Sequence, residues 1–118
     1  MYDALNFDEI PIRNLTALKM IYPSASKVMD TPEEFLFARA YKKINNSMPN
    51  SVAIKGFDCT FDTILRMCQE DGFAASVSKY KTTYIENSFD YSNTNEVNTN
   101  NGCYLLYYDN DLTIKQAQ

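Results

Sequence analysis

The chain has 118 residues, 45% of them hydrophobic and 22% charged, with a net charge of −4 and a pI near 4.7. These values are typical of one globular domain over residues 1–118, and they exclude an intrinsically disordered chain, which combines low hydrophobicity with high net charge. The scattered Lys and Arg residues of this acidic chain exclude a nucleic-acid surface, because affinity for phosphates comes mainly from clustered bases.

Neither a membrane span nor a secretion signal is found in the sequence. Its apolar runs are far shorter than the roughly 20 residues that cross a bilayer, and the opening stretch MYDALNFDEI lacks the basic and apolar regions of a signal peptide. Cys59, Cys68 and Cys103 cannot all pair with one another. We expect buried free thiols, and one disulfide or a reactive thiol is the open alternative.

The N-terminal part predicts little regular structure before its first strand. Residues 1–16 are irregular or briefly helical, with Pro11 interrupting them. The stretch ALKMIY, residues 17–22, predicts a short buried strand that Pro23 stops.

A strong helix start follows at TPEE. Thr31 can cap the helix, Pro32 suits its first turn, and Glu34 closes a capping box, so we expect a helix over 32–45 that residues 45–47 end. Its apolar residues cover more than one stripe, which predicts contacts on two sides and an exposed apolar surface if one partner is missing. They are Phe35, Leu36, Phe37, Ala38, Ala40, Tyr41 and Ile44.

The stretch SVAIKGFDCTFDTIL predicts a second helix. Residues 51–55 form a β-like approach, Gly56 lets the chain turn, and Asp58 caps a helix over 58–70 by accepting hydrogen bonds from its first free amides. Gly72 closes the helix in a left-handed conformation. One apolar face is formed by Phe57, Phe61, Ile64, Leu65 and Cys68.

The remainder of the chain changes to β character. Residues 81–92, 103–108 and 112–115 are rich in Thr, Tyr, Ile and Leu and predict a three-stranded antiparallel meander. The asparagine-rich residues 92–101 predict a mobile hairpin tip between the first two strands.

Few residues offer catalytic or metal-binding chemistry. The chain has no histidine, and it lacks CxxC spacing and the common phosphate-binding motifs. Asp58 and Asp62 lie one helical turn apart and could share a proton or bind a cation, but a cap and a solvated pair between Asp62 and Arg66 on the outer face explain them more simply. Asp109 and Asp111 resemble part of a calcium loop, although a tight turn is favoured. We therefore assign no catalytic, cofactor-binding or metal residue.

Nine tyrosines raise the question of a binding face. Tyrosine combines apolar area with a polar tip, so a row on adjacent strands could stack on a carbohydrate or a peptide. Cross-strand packing explains the same row and is the simpler interpretation. The residues concerned are Tyr80, Tyr84, Tyr91, Tyr104, Tyr107 and Tyr108.

Four stretches carry a family resemblance. They are LKMIYPSAS (18–26), PEEFLFARAYKKINNSMPNSVAIKGFDCTFDTILRM (32–67), YIENSFDYS (84–92) and GCYLLYYDNDLTIK (102–115). Together they resemble the C-terminal part of the type 1 periplasmic-binding fold, in the version found in Bacteroidota envelope proteins associated with LysM peptidoglycan-binding repeats. The run from Pro49 to Asp62 is the most distinctive, and residues 45–47 replace a turn that usually contains glycine.

This resemblance implies a partial, layered α/β fold with a short buried strand, two main helices and the C-terminal meander. It implies a non-enzymatic ligand-binding or scaffold module of the periplasm or cell envelope, without a cofactor. Its partners would be the missing lobe of the same fold, another chain or a second copy, together with a small-molecule or peptidoglycan-related ligand. The alternative is a stand-alone interaction protein or inhibitor, of phage type or cytosolic.

Overall fold

The structure, a computed structural model, describes residues 10–28, 31–94 and 97–117. Within these ranges the chain mixes helices and strands, which confirms the α/β character. The helices are α1 (Ile12–Ala17), α2 (Pro32–Asn45), α3 (Ser51–Met67) and α4 (Gly72–Val77). The strands are β1 (Ile21–Ser24), β2 (Thr82–Thr83), β3 (Ser88–Phe89), β4 (Tyr91–Thr94), β5 (Val97–Asn100), β6 (Tyr104–Tyr108) and β7 (Ile114–Gln116).

The chain divides into two compact units, which are described separately. The terminal unit combines Met1–Val28 with Cys103–Gln118, and the central unit is Met29–Gly102. The terminal unit thus joins the two ends of the chain, whereas the central unit is continuous in sequence. The single domain expected from chain length stays a prediction.

The terminal unit is built on an antiparallel sheet with strand order β1-β6-β7. Tyr22 of β1 lies opposite Leu106 of β6, and Tyr108 of β6 lies opposite Ile114 of β7. Burying side chains of this size contributes roughly 1.5–3 kcal/mol each. The buried core of this unit consists of Leu15, Tyr22, Tyr104, Leu106 and Tyr108.

The prediction for the N-terminal strand is wrong in its boundaries. Ala17 ends α1, and β1 includes Pro23, which we expected to stop the strand. Proline is tolerated because β1 lies at the edge of its sheet, where one side of the backbone needs no partner. Since only Tyr22 of β1 is buried, the strand is also less buried than expected. Residues 1–9 of the stretch 1–16, predicted to be irregular or briefly helical, lie outside the described residues, and α1 is the brief helix that follows them.

The predicted C-terminal meander is wrong in its strand pairing. β6 and β7 form the expected antiparallel pair, but residues 81–92 do not join them. Instead β2 pairs with β3, β4 pairs with β5, and β1 takes the place beside β6. Strand propensity locates extended segments, whereas the choice of partner depends on contacts far apart in sequence. The mobile tip predicted for 92–101 is wrong for most of that stretch, because β4 and β5 form a separate paired hairpin there. Residues 95–96 lie outside the described residues.

In the central unit, α2 begins and ends as predicted. Thr31 Oγ1 accepts a hydrogen bond from the backbone N–H of Glu34 at 3.4 Å, and Pro32 occupies the first turn. Asn46 ends the helix with a φ of 55°, in the left-handed region that asparagine tolerates. None of the 14 residues of α2 is buried, so this helix carries the exposed apolar surface that its pattern predicted.

α3 begins before Gly56 and not after it. The Asn50 side chain caps the helix by accepting a hydrogen bond from the Ala53 N–H at 2.8 Å. The β-like approach predicted for 51–55 is therefore wrong, and Asp58 lies inside the helix, where it cannot cap it. An interior glycine costs roughly 0.5–1 kcal/mol relative to alanine, and a good cap offsets a cost of that size.

A short turn connects α3 to α4. α3 ends at Met67, three residues before the predicted end at residue 70. Gly72 has a φ of 75°, which confirms its predicted left-handed conformation, and it begins α4. The carbonyl groups at the end of α4 accept hydrogen bonds from the Arg66 side chain of α3.

Candidate functional site

One face of α3 is buried, and most of its side chains are charged. The buried residues recur at every fourth position, which places them on one side of the helix. They are Ile54, Asp58, Asp62 and Arg66. The predicted position of Asp62 and Arg66 on the outer face is therefore wrong.

The predicted apolar face of α3 exists, but it lies on the exposed side. Ile64, for example, is 51% exposed. The residues of this face are Phe57, Phe61, Ile64, Leu65 and Cys68, all of them exposed, and we call them the α3 apolar stripe. The central unit thus buries charges and exposes apolar side chains along the same helix.

Asp58 holds the loop between β2 and β3. Its Oδ1 accepts the backbone N–H of Ile85 at 3.1 Å, and its Oδ2 accepts the N–H of Glu86 at 2.9 Å. Asn87 donates to Oδ2 twice, from its backbone N–H and its side-chain Nδ2, both at 2.9 Å. Successive backbone N–H groups of this kind form a concavity suited to an anion, and the Asp58 carboxylate, 0% exposed, fills it.

Asp62 joins α3 to the segment that contains β2. Its Oδ2 accepts from Arg66 Nε at 2.8 Å. Its Oδ1 accepts from Thr82 Oγ1 at 2.6 Å and from Tyr84 Oη at 3.0 Å. An ion pair buried in this way is tolerated because each charge has several hydrogen-bond partners in addition to the opposite charge.

Arg66 uses all five of its N–H donors. The guanidinium group binds one carboxylate, three backbone carbonyl groups and one hydroxyl group, and thereby holds the end of α4 and the following residues against α3. The acceptors are Asp62 Oδ2, the carbonyl oxygens of Ser76 (2.7 Å), Val77 (3.1 Å) and Tyr80 (3.1 Å), and Thr82 Oγ1 (3.1 Å).

Aromatic rings line the charged network. The guanidinium carbon of Arg66 lies 5.3 Å from the ring centroid of Tyr91, a favourable cation–π distance. Burial raises the pKa of Tyr84, and its hydrogen bond to Asp62 raises it further. Burial likewise raises the pKa of Tyr91, with a smaller contribution from the Asp62 charge. Both phenol groups therefore stay protonated well above neutral pH.

The buried charged residues of α3 bind other parts of the protein, which leaves little scope for binding a substrate or a metal ion. The Asp58 carboxylate is 0% exposed and accepts four hydrogen bonds from the protein, so a substrate cannot reach it. The cavity beside Arg66 is about 240 Å³, below the usual size of ligand pockets, and all donors of that guanidinium are in use. No group of three acidic, Cys or His side chains that could hold a metal ion occurs within residues 10–28, 31–94 and 97–117.

The Asp109–Asp111 turn contains its own cation. Lys115 Nζ donates to both carboxylates, at 2.9 Å to Asp111 and at a short distance to Asp109. The hydrogen bonds from Thr113 and then from Lys115 lower the pKa of Asp111 to about 2. The tight turn favoured over a calcium loop is thus present, with a lysine ammonium group where a calcium ion would bind.

We expect the Asp111 carboxyl to titrate with a midpoint near 2 in NMR, and the Lys115→Met variant to raise that midpoint because one charged donor is lost. The lowered pKa means that the turn is stabilised above the unfolded value of 3.8 and loses this contribution as pH falls towards 2. Lys81→Met, an exposed change in the central unit, is the control. An unchanged Asp111 midpoint in Lys115→Met would contradict the ion pair.

The cysteines and the tyrosines singled out in the sequence do not form a common site. All three cysteines are exposed and unpaired, so the prediction of buried thiols is wrong. Tyr104 and Tyr108 belong to the core of the terminal unit, and the Tyr22 and Tyr108 rings lie 5.7 Å apart. β6 pairs with β1 and β7 only, so the predicted row across two strands with Tyr84 and Tyr91 does not form by strand pairing.

Comparisons with protein-family models, with curated proteins and with solved structures found no match. Among the described residues, no helix has the length and apolar character needed to cross a membrane.

Proposed function

We propose that this chain is a non-enzymatic module of the cell envelope, related to part of a periplasmic solute-binding protein, that acts by docking its exposed helices against another polypeptide. The sequence resemblance supports the family, the periplasmic location, and a small-molecule or peptidoglycan-related ligand completed by a second lobe. The exposed apolar side chains of α2 and α3 support the docking role.

The exposed helices carry the proposal. A soluble monomer seldom exposes a large contiguous apolar surface, and such surfaces commonly mark sites of association. The central unit buries few large apolar side chains among its described residues, namely Ile54, Val77 and Phe89. It exposes many more, namely Phe35, Leu36, Ile44, Met48, Val52, Phe57, Phe61, Ile64, Leu65, Met67, Phe73 and Tyr80.

The non-enzymatic assignment rests on the burial of the charged residues of α3. Asp58, Asp62 and Arg66 are at most 3% exposed, and each binds several donors or acceptors of the protein. A general base must come within hydrogen-bond distance of its substrate. We therefore interpret these side chains as the framework that positions α3, and not as reagents.

We expect the purified protein to bind a hydrophobic fluorescent dye at low micromolar concentration, and Ile64→Asp to weaken that binding several-fold because it places a charge in the α3 apolar stripe. Thr60→Asp is the matched control, since it lies on the same helix at an exposed position outside the stripe. Circular dichroism verifies that both variants keep their helices. A protein that binds no dye would refute the docking role.

The stand-alone interaction protein stays the second candidate, because the same exposed helices would serve it. The mass and the cellular location of the native polypeptide distinguish the envelope module from the stand-alone protein. An intact mass well above that of this chain, in a periplasmic fraction, supports the envelope module. A cytosolic protein of 13.6 kDa supports the stand-alone protein.

A further inference from the structure

The outward side of α2 forms a surface distinct from the α3 apolar stripe. Phe37 faces α3, since its ring centroid lies 4.7 Å from that of Phe57. Leu36 and Ala40, four residues apart, occupy another side of the helix, and Leu36 is 68% exposed. Ile44, seven residues after Phe37, lies at the edge of that side near the end of the helix and is 79% exposed. We call the following set the α2 outer face: Pro32, Phe35, Leu36, Arg39, Ala40, Lys43 and Ile44.

Two neighbouring grooves run along this face. They have volumes of about 530 Å³ and 490 Å³ and share Leu36 and Arg39. The larger one is lined by Leu36, Arg39, Ala40, Lys42 and Lys43. Its base is apolar and its rim is cationic, so it suits an apolar partner that carries acidic groups.

We propose that the occupant is a second copy of this chain, whose α2 packs antiparallel on the first. A two-fold interface requires a surface that is complementary to itself. α2 meets this requirement in its charges. Glu33 and Glu34 lie in its first turn, and Lys42 and Lys43 lie in its last turn. An antiparallel pair places the acidic end of each helix beside the basic end of the other, and it also opposes the helix dipoles.

The shape of the face selects the same register. Glu33 with Lys43, and Leu36 with Ala40, are pairs centred on the level of Ala38, and all four lie on the same side of the helix. A two-fold axis at that level brings Leu36 of each copy opposite the small Ala40 of the other. A large side chain facing a small one lets two helices approach closely and pack with few gaps.

The small area of the α2 outer face predicts a weak dimer. With lysine stems included, the face offers roughly 500 Å² per copy, because exposed Phe, Leu and Ile side chains each present on the order of 100–150 Å². The total of about 1,000 Å² lies at the lower limit for specific interfaces. We therefore expect a reversible dimer with a Kd on the order of tens of micromolar.

The test is sedimentation equilibrium of the full chain from 1 to 300 µM, in reducing buffer because the three cysteines are exposed. We expect a monomer–dimer equilibrium in the wild type and at least tenfold weaker dimerisation in Ala40→Arg. Lys43→Glu should also weaken it several-fold, since Glu33 of the other copy would then face an acidic side chain. Adding Glu33→Lys to that variant should restore the dimer, because the charges are again complementary.

Three results would overturn the inference. The first is a wild type that stays monomeric at 300 µM, and the second is a dimer that Ala40→Arg leaves intact. The third is a Lys43→Glu chain whose dimer is not restored by adding Glu33→Lys, with its helix content unchanged by circular dichroism. If the dimer that Ala40→Arg leaves intact is lost in Ile64→Asp, the contact lies on the α3 apolar stripe, and the proposed docking role stays in place.

Discussion

Replacing Asp58 with asparagine is expected to destabilise the central unit by about 1–3 kcal/mol, the usual cost of leaving a buried hydrogen-bond donor without a partner. The wild-type carboxylate accepts four hydrogen bonds from Ile85, Glu86 and Asn87, and three of them come from successive backbone amides. An asparagine keeps one carbonyl oxygen but presents an NH₂ group where the other carboxylate oxygen was, so at least one buried N–H group loses its acceptor. Urea denaturation followed by far-UV circular dichroism measures the loss.

The matched control is Asp71→Asn. Asp71 is paired with Lys79 at 3.0 Å, but both side chains are more than half exposed. An exposed pair contributes little to stability, because water and salt screen it. Equal unfolding midpoints for the two variants would mean that the Asp58 carboxylate does not hold the loop.

The sequence predicts helix ends well where the signal is a single local motif. α2 is the example, because Thr31 and Glu34 are close enough in the chain to form the cap without help from the rest of the protein. α3 has two competing signals, Asn50 and Asp58, each suited to a cap. Asn50 caps the helix because its side chain bonds the Ala53 N–H, and the Asp58 side chain binds backbone amides of residues 85–87 instead. The Asn50 cap is as local as the Thr31 cap, and the late start predicted for α3 comes from assigning the cap to Asp58, whose partners lie at 85–87.

The buried face of α3 shows a second limit of sequence reasoning. Hydrophobic periodicity identified the α3 apolar stripe as the side most suited to packing, because it assumes that a helix buries apolar residues. The segment that covers α3 instead presents backbone N–H groups at 85–87 and carbonyl groups at 76–80. Those groups need charged partners, and the helix supplies them. The detectable signal was the spacing of four between Asp58, Asp62 and Arg66, which continues a row begun by Ile54.

The role of Asp58 was therefore predicted in part for the wrong reason. The sequence indicated a carboxylate that binds backbone amides and belongs to the framework. It placed those amides in the first turn of the same helix, whereas they lie in the loop before β3. Strand pairing failed in the same way, since Tyr104–Tyr108 was recognised as a strand but its neighbour β1 lies about eighty residues earlier in the chain.

Replacing Arg66 with lysine is expected to cost about 3 kcal/mol of stability, although the positive charge is kept. A guanidinium group holds five acceptors in a fixed planar arrangement, and an ammonium group has only three donors at one point. The acceptors that lose their partners include the carbonyl groups of Ser76, Val77 and Tyr80. Urea denaturation gives the cost, and hydrogen exchange should show faster exchange of the backbone amides in α4.

Arg13→Lys provides the matched control, because it makes the same chemical change at an exposed position of α1. We expect its stability and its hydrogen exchange to equal those of the wild type. Since the Arg66 guanidinium binds the carbonyl groups of Ser76 and Val77 in α4 and of Tyr80 beyond it, the Arg66 variant should loosen α4. If the two lysine variants unfold at the same urea concentration, the guanidinium does not anchor α4, and the polar interior must be held by other contacts.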